Sequence, residues 1–214
     1  MDDAIAEKVE VLKSRVKGLL ASADPAHDFS HILRVYRMAE RLCKDEGGDP
    51  TIALPAALLH DLYQVPKDHP DRAKASEVSA QMAEKLLRDV AYPEEKIPAI
   101  LDAIRAHSFS RGEKAATKEA MIVQDADRLD AIGVMGIARL WATSGKLNRP
   151  FYHPDDPFFE SDRQLDENKY GLDHVFQKLL KLKDLMNTGT AKRIAEGRHG
   201  VLLKFLEEMR KEIS

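Results

Sequence analysis

The sequence predicts an all-α fold, a compact multi-helix bundle. Apolar residues recur three and four positions apart almost throughout, strict alternation is nearly absent, and Gly, Pro and Asp fall where one periodic run gives way to the next. Ile5, Val9, Leu12, Val16 and Leu19 form one face of a first helix, with Asp2 or Asp3 as its cap, and Asp24-Pro25 breaks it. A second helix from about Phe29 to Glu46 puts His31, Val35, Met38 and Leu42 on one stripe, so His31 faces the core, and Gly47-Gly48 ends it. Asp49-Pro50 reads as a cap followed by a first-turn proline, opening a helix that ends at His60-Asp61; Pro55 marks either its true start or a kink.

Leu62 to Arg72, with Pro66 and Pro70, reads as a loop whose side chains can reach whatever the His-Asp pair binds. A helix from about Ala73 to Val90 follows. Tyr92-Pro93 opens another, in which Ile97, Ile100, Ile104 and His107 share a face despite Pro98. Thr117 caps a helix carrying Met121, Ile122 and Val123 into Asp125-Ala126-Asp127-Arg128, and Gly133 and Gly136 allow a neighbouring helix to approach closely. The pattern stops between Gly145 and Gly171, where Pro150, Pro154, Pro157 and many charges indicate a long irregular segment, a lid or binding loop if not disordered. Helix returns with Val175, Leu179, Leu182 and Met186 on one face, then from about Ala191 to Glu212.

At 214 residues the chain is long enough for one well-packed core, and a single domain over 1–214 is expected. Its 33 basic and 36 acidic residues give a net charge of −3 with no block of like sign, which argues against a nucleic-acid polymer as partner. Cys43 is the single cysteine; it excludes an internal disulfide and a thiolate metal cluster, and its place on an apolar stripe suits a core residue. Neither a signal peptide nor a run of about 18 apolar residues is visible, so no membrane partner and a cytoplasmic location are expected.

The chemistry concentrates where the apolar run Ala56-Ala57-Leu58-Leu59 closes on His60-Asp61. Two polar, titratable residues at the end of a buried run are costly unless something satisfies them, and a metal would. With His31 on an earlier helix and Asp127 on a later one, four ligands can converge from three helices, although the Asp-Ala-Asp step leaves Asp125 as the other choice. Imidazole and carboxylate together suit manganese, iron, magnesium, nickel or zinc. Such an ion polarises a phosphoryl oxygen and lowers the pKa of water, which makes hydrolysis of a phosphate ester or anhydride natural chemistry. Taken alone, an inward histidine is more often a hydrogen-bonded core residue; the combination shifts that balance.

The order His31, His60-Asp61, Asp127 resembles the HD superfamily of metal-dependent phosphohydrolases. The surrounding words are specific: Phe-Ser-His-Ile-Leu-Arg-Val, Ala-Leu-Leu-His-Asp-Leu and Asp-Ala-Asp-Arg-Leu-Asp-Ala-Ile-Gly. Small stand-alone bacterial members are similar in further features: His27-Asp28 before the first ligand, Lys67-x-His69-Pro70-x-Arg72, and Arg105-x-His107-Ser-Phe-Ser110. The resemblance implies one divalent metal held by His31, His60, Asp61 and Asp127, the aspartate directly before the arginine. Asp125 is then a helix or hydrogen-bond partner. Members with two metals typically carry extra histidines before the final aspartate, and here only His69 and His107 lie there.

The remaining roles follow from charge and position. Asp61 and His107 are the catalytic candidates, His107 as a phosphate contact or as proton donor to the leaving group, against a packed core histidine. Arg34, Lys67, Arg72 and Arg111 could hold phosphate oxygens or be solvated charges. His27 and Asp28 could orient the first ligand, although Asp28 could simply cap its helix. Superfamily deoxynucleoside monophosphatases carry a glutamate where this chain has Gln64, which argues against that activity. The expected function is hydrolysis of a nucleotide or related phosphate by a metal-activated water, with cleavage of a nucleoside triphosphate to monophosphate and pyrophosphate the leading form. The alternatives are a phosphomonoesterase, a cyclic phosphodiesterase, or a non-catalytic metal or nucleotide sensor.

Overall fold

The computed structural model describes residues 2–65, 74–107 and 114–213, and every regular element among them is helical. In chain order these are α1 (Asp3–Leu19), α2 (Phe29–Glu46), α3 (Pro50–Leu59), α4 (Ala75–Asp89), α5 (Ile97–Ala106), α6 (Lys118–Asp130), α7 (Gly133–Lys146), α8 (Gly171–Gln177), a 3-10 helix (Leu179–Leu185) and α9 (Gly189–Ile213). The chain divides into two compact units, Met1–Asp127 and Arg128–Ser214, so the division falls inside α6.

In the first unit α3 is the hub, packing against α1, α2 and α5. The reason is compositional: Ala53 through Leu59 are all buried, and a helix apolar all round can only be interior. Aspartates start three helices. Asp2 accepts from the Ile5 amide, Asp28 from the Ser30 and His31 amides, and Asp49 from the Thr51 amide, each satisfying amides that lack an intrahelical acceptor. Gly47 ends α2 at φ 75°, in the left-handed region that glycine enters without strain. Gly48 then lets α6 approach, since a Cβ there would lie 2.4 Å from the Ile122 side chain.

Pro55 neither starts nor breaks α3; it lies inside it. Lacking an N–H, it cannot bond the carbonyl four residues earlier, that of Thr51. The Tyr92 hydroxyl donates to that carbonyl at 2.7 Å, so the proline is tolerated because a side chain from outside the helix replaces its missing donor. On α1 the expected stripe ends differently: Leu19 is 52% exposed while Leu20 is buried, because the inward face continues from Val16 by a step of four.

In the second unit α7 packs on α9, and the 3-10 helix packs on α8 and α9. The close approach expected at Gly136 is to its own preceding turn: a Cβ there would lie 2.3 Å from the Ala131 carbonyl oxygen. The face formed by Val175, Leu179, Leu182 and Met186 is buried but runs across α8 and the 3-10 helix, not one continuous helix. The irregular stretch between α7 and α8 is held by a polar network. Arg163 grips the fully buried Asp173 with two bonds of 2.7 Å, and donates to the Asp156 carbonyl at 3.1 and 3.3 Å. Asp173 also accepts from the Asp166 amide at 2.7 Å.

Candidate metal centre

Helix ends of the first unit supply the site. His31 stands in the opening turn of α2, where Asp28 fixes its backbone by accepting from the His31 amide at 3.1 Å. His60 follows the last residue of α3, and His107 follows the last residue of α5. Asp127 comes from α6. His31 and His60 are both 1% exposed, whereas the Asp127 side chain is 27% exposed, so a buried imidazole pair opens toward solvent through a carboxylate.

Ligand-type atoms of His31, His60 and Asp127 all lie within 4.8 Å of one another. His31 Nε2 is 3.7 Å and His60 Nε2 3.8 Å from Asp127 Oδ1, too long for hydrogen bonds. Two donors that each sit about 2.1 Å from one ion are roughly 3 to 4.2 Å apart, so these spacings suit a shared cation. His60 strengthens the fit. Its Nδ1 donates to the Ala57 carbonyl at 2.9 Å, which leaves Nε2 as a lone-pair donor, and this buried Nε2 has no hydrogen-bond partner among the described residues. An unsatisfied buried acceptor costs about 1–3 kcal/mol, which a cation would recover. The donor set, two imidazoles and a carboxylate, therefore fits a borderline or hard divalent ion.

Asp61 lies outside this three-residue group. Its Oδ2 accepts from Gln64 Nε2 at 3.4 Å, and the same amide donates to the His27 carbonyl at 2.8 Å, tying the turn after α3 to the chain entering α2. Asp125 is fully buried and also outside the group; the structure brings the arginine-adjacent Asp127, not Asp125, to the histidines. His107 Nδ1 donates to the Ile104 carbonyl at 2.6 Å, and its ring centre is 4.9 Å from that of His60. Burial pushes the His107 imidazole below its ordinary pKa and His60 adds to this, against the opposing pull of Asp127 and Asp61.

Among the other expected residues, Asp28 is the cap of α2. Burial raises its carboxyl, but bonds from the Ser30 hydroxyl and the His31 and Ser30 amides, with Arg34 nearby, hold it below the usual value. His27 bonds Asp24 at 3.2 Å, and its ring centre is 6.4 Å from that of His31, so it flanks the first histidine. Arg34 donates to the Ser30 hydroxyl at 3.2 Å. Lys67, Arg72 and Arg111, and His69 with them, lie outside the described residues. Cys43 is buried and its thiol is pushed up to about 12, by burial first, which suits a packing role.

The HD domain family matches residues 28–132, a span that contains His31, His60, Asp61, His107 and Asp127. A curated relative, the uncharacterized protein YpgQ of Bacillus subtilis, is 33% identical over 211 residues, 97% of this chain and 94% of the relative. The chain belongs to the HD family. An HD-superfamily hydrolase from Bacillus thuringiensis is 36% identical, with a TM-score of 0.74 and 97% of each chain covered. A Lactobacillus plantarum protein reaches a TM-score of 0.79 at 31% identity, covering 99% of this chain and 98% of the other. YpgQ has also been solved in complex with ADP, at 30% identity and a TM-score of 0.77, covering 98% and 97%.

Two residues of this HD site carry no motif signal. Gln64 stands out in the sequence only as a departure, and its bonds to Asp61 and His27 come from packing. Gln124 escapes notice altogether: it lies three residues before Asp127 on the same helix face, but nothing local in the sequence marks its bond to the Ala106 carbonyl.

Proposed function

We propose that this protein is a metal-dependent nucleotide phosphohydrolase, with His31, His60, Asp61 and Asp127 holding one divalent cation, and with a nucleoside triphosphate cleaved to monophosphate and pyrophosphate. The observation that carries the metal is the buried His60 Nε2, its lone pair freed by the bond to Ala57 and left without a hydrogen-bond partner among the described residues, beside His31 and Asp127. The nucleotide is supported by the ADP complex of YpgQ, a relative matching almost the whole chain. A bound divalent cation supplies a Lewis acid for a phosphoryl oxygen and acidifies water. Asp61, half-buried next to His60 and outside the three-residue donor group, is assigned as the fourth ligand from the motif and, by accepting a proton from the attacking water, would serve as general base. His107, with Nδ1–H committed to Ile104, keeps a lone pair on Nε2 that would take up the proton Asp61 receives from water and pass it to the leaving phosphate oxygen. Arg34 is suited to a phosphate oxygen, and the same role is proposed for Lys67, Arg72 and Arg111, which lie outside the described residues.

Phosphorus NMR of the products formed from nucleoside triphosphates, with manganese present, tests this reading. Monophosphate and pyrophosphate as primary products are expected. Orthophosphate as the only primary phosphorus product would instead assign a phosphomonoesterase or terminal-phosphate hydrolase, and turnover confined to cyclic nucleotides a phosphodiesterase.

A further inference from the structure

Gln124 is 1% exposed, and its Nε2 donates to the Ala106 carbonyl at 2.8 Å. That carbonyl belongs to the peptide joining Ala106, the last residue of α5, to His107. A terminal helix carbonyl has no intrahelical donor, so something must satisfy it when buried. Here the donor comes from the helix that also carries Asp127, one turn further along the same face. The His107 ring is therefore anchored twice: through Nδ1 to Ile104, and through its preceding peptide to α6. A rotation of that peptide would swing the ring relative to both His60 and Asp127.

We infer that Gln124 is a positioning residue that fixes His107 against Asp127, setting turnover and not metal affinity. This rests on the proton-carrying role proposed for His107. The test compares Gln124→Met, which keeps length without the donor, with His107→Ala and the double variant, measuring kcat, KM, bound manganese and Tm with a nucleoside triphosphate. Gln124→Met is expected to keep its manganese and a KM within about twofold while kcat falls about 10-fold, and to cause no further fall in the His107→Ala background. Tyr92→Phe, which deletes another buried side-chain donor from the same unit, serves as control and is expected to keep kcat. Should the Met variant not fold, Gln124→Asn, an amide too short to reach Ala106, replaces it with the same expectations.

Wild-type kcat in the Gln124 variant with a large loss in His107→Ala overturns the positioning role alone. An equal loss with and without His107 also overturns it, since Gln124 would then act elsewhere. Undiminished turnover in His107→Ala removes the role of His107 itself, and the Gln124 inference with it, while leaving the metal site untouched.

Discussion

His60 and His107 share a local device. Each stands just after the last turn of a helix and donates Nδ1–H to the carbonyl three residues back, Ala57 at 2.9 Å and Ile104 at 2.6 Å. A terminal carbonyl gains a donor, and the imidazole gains a fixed tautomer with Nε2 free to accept a proton or a metal. His31 reaches the same neighbourhood from a helix start, where the Asp28 cap holds its backbone. On α6, Asp125 and Asp127 point about 200° apart, and the histidines meet only Asp127. Asp127→Ala is therefore expected to abolish metal-dependent hydrolysis, whereas Asp125→Ala keeps its metal and loses about 10- to 100-fold in rate. Rates and metal content measured on the two variants check this; the reverse ranking would mean that the motif is aligned two residues out. These histidines and Asp127 were legible because residue type, helix phase and motif coincide. Gln64 and Gln124 were not, because their partners His27 and Ala106 are 37 and 18 residues away and only packing supplies the pairing.

Among the helices, α3 shows why boundaries read from sequence go astray. Its two prolines, glycine-flanked start and uniform apolarity were all visible, but whether Pro55 opens or interrupts the helix depends on Tyr92, 41 residues from Thr51. Burial raises the Tyr92 hydroxyl well above its ordinary pKa, so it stays protonated and remains a donor. Tyr92→Phe leaves the Thr51 carbonyl without that donor, and a loss of about 1–2 kcal/mol is expected in urea unfolding. No loss would mean that the carbonyl left open by Pro55 is satisfied by other means. The segment between α7 and α8 was correctly read as irregular, yet its Pro content gave no hint of the Arg163–Asp173 pair, since buried ion pairs are written in tertiary contacts and not in local pattern.

For the molecule as a whole, helical content was legible throughout, because 3.6-residue periodicity is a local property of the chain. The division at Asp127 was not, as α6 runs through it without a break in pattern. No helix among the described residues is long and apolar enough to cross a membrane. Acid response is also a property of the whole fold. In the folded state Asp156 falls from 3.8 to about 2, held by the Ser161 hydroxyl, the Glu160 amide and Arg163, and Asp28 and Asp49 are lowered by their own hydrogen bonds. A carboxylate depressed on folding adds stability that is present above its unfolded pKa and disappears as pH drops through the folded one. The urea midpoint is therefore expected to decline as pH falls from about 4 toward 2, with the Asp156 resonance titrating near 2 in carboxyl NMR. A midpoint flat across that window would contradict the bonding pattern.

The claim on which the functional reading turns is that His31, His60 and Asp127 converge on a cation. Calorimetric titration of manganese into the metal-stripped protein and into His60→Ala tests it most directly. About one ion per chain is expected for the wild type, with most of that affinity gone in the variant while its helical spectrum is retained, since one lost ligand removes both a donor and the geometry. Equal manganese affinity in the two proteins would contradict the assignment of this cluster as the metal centre.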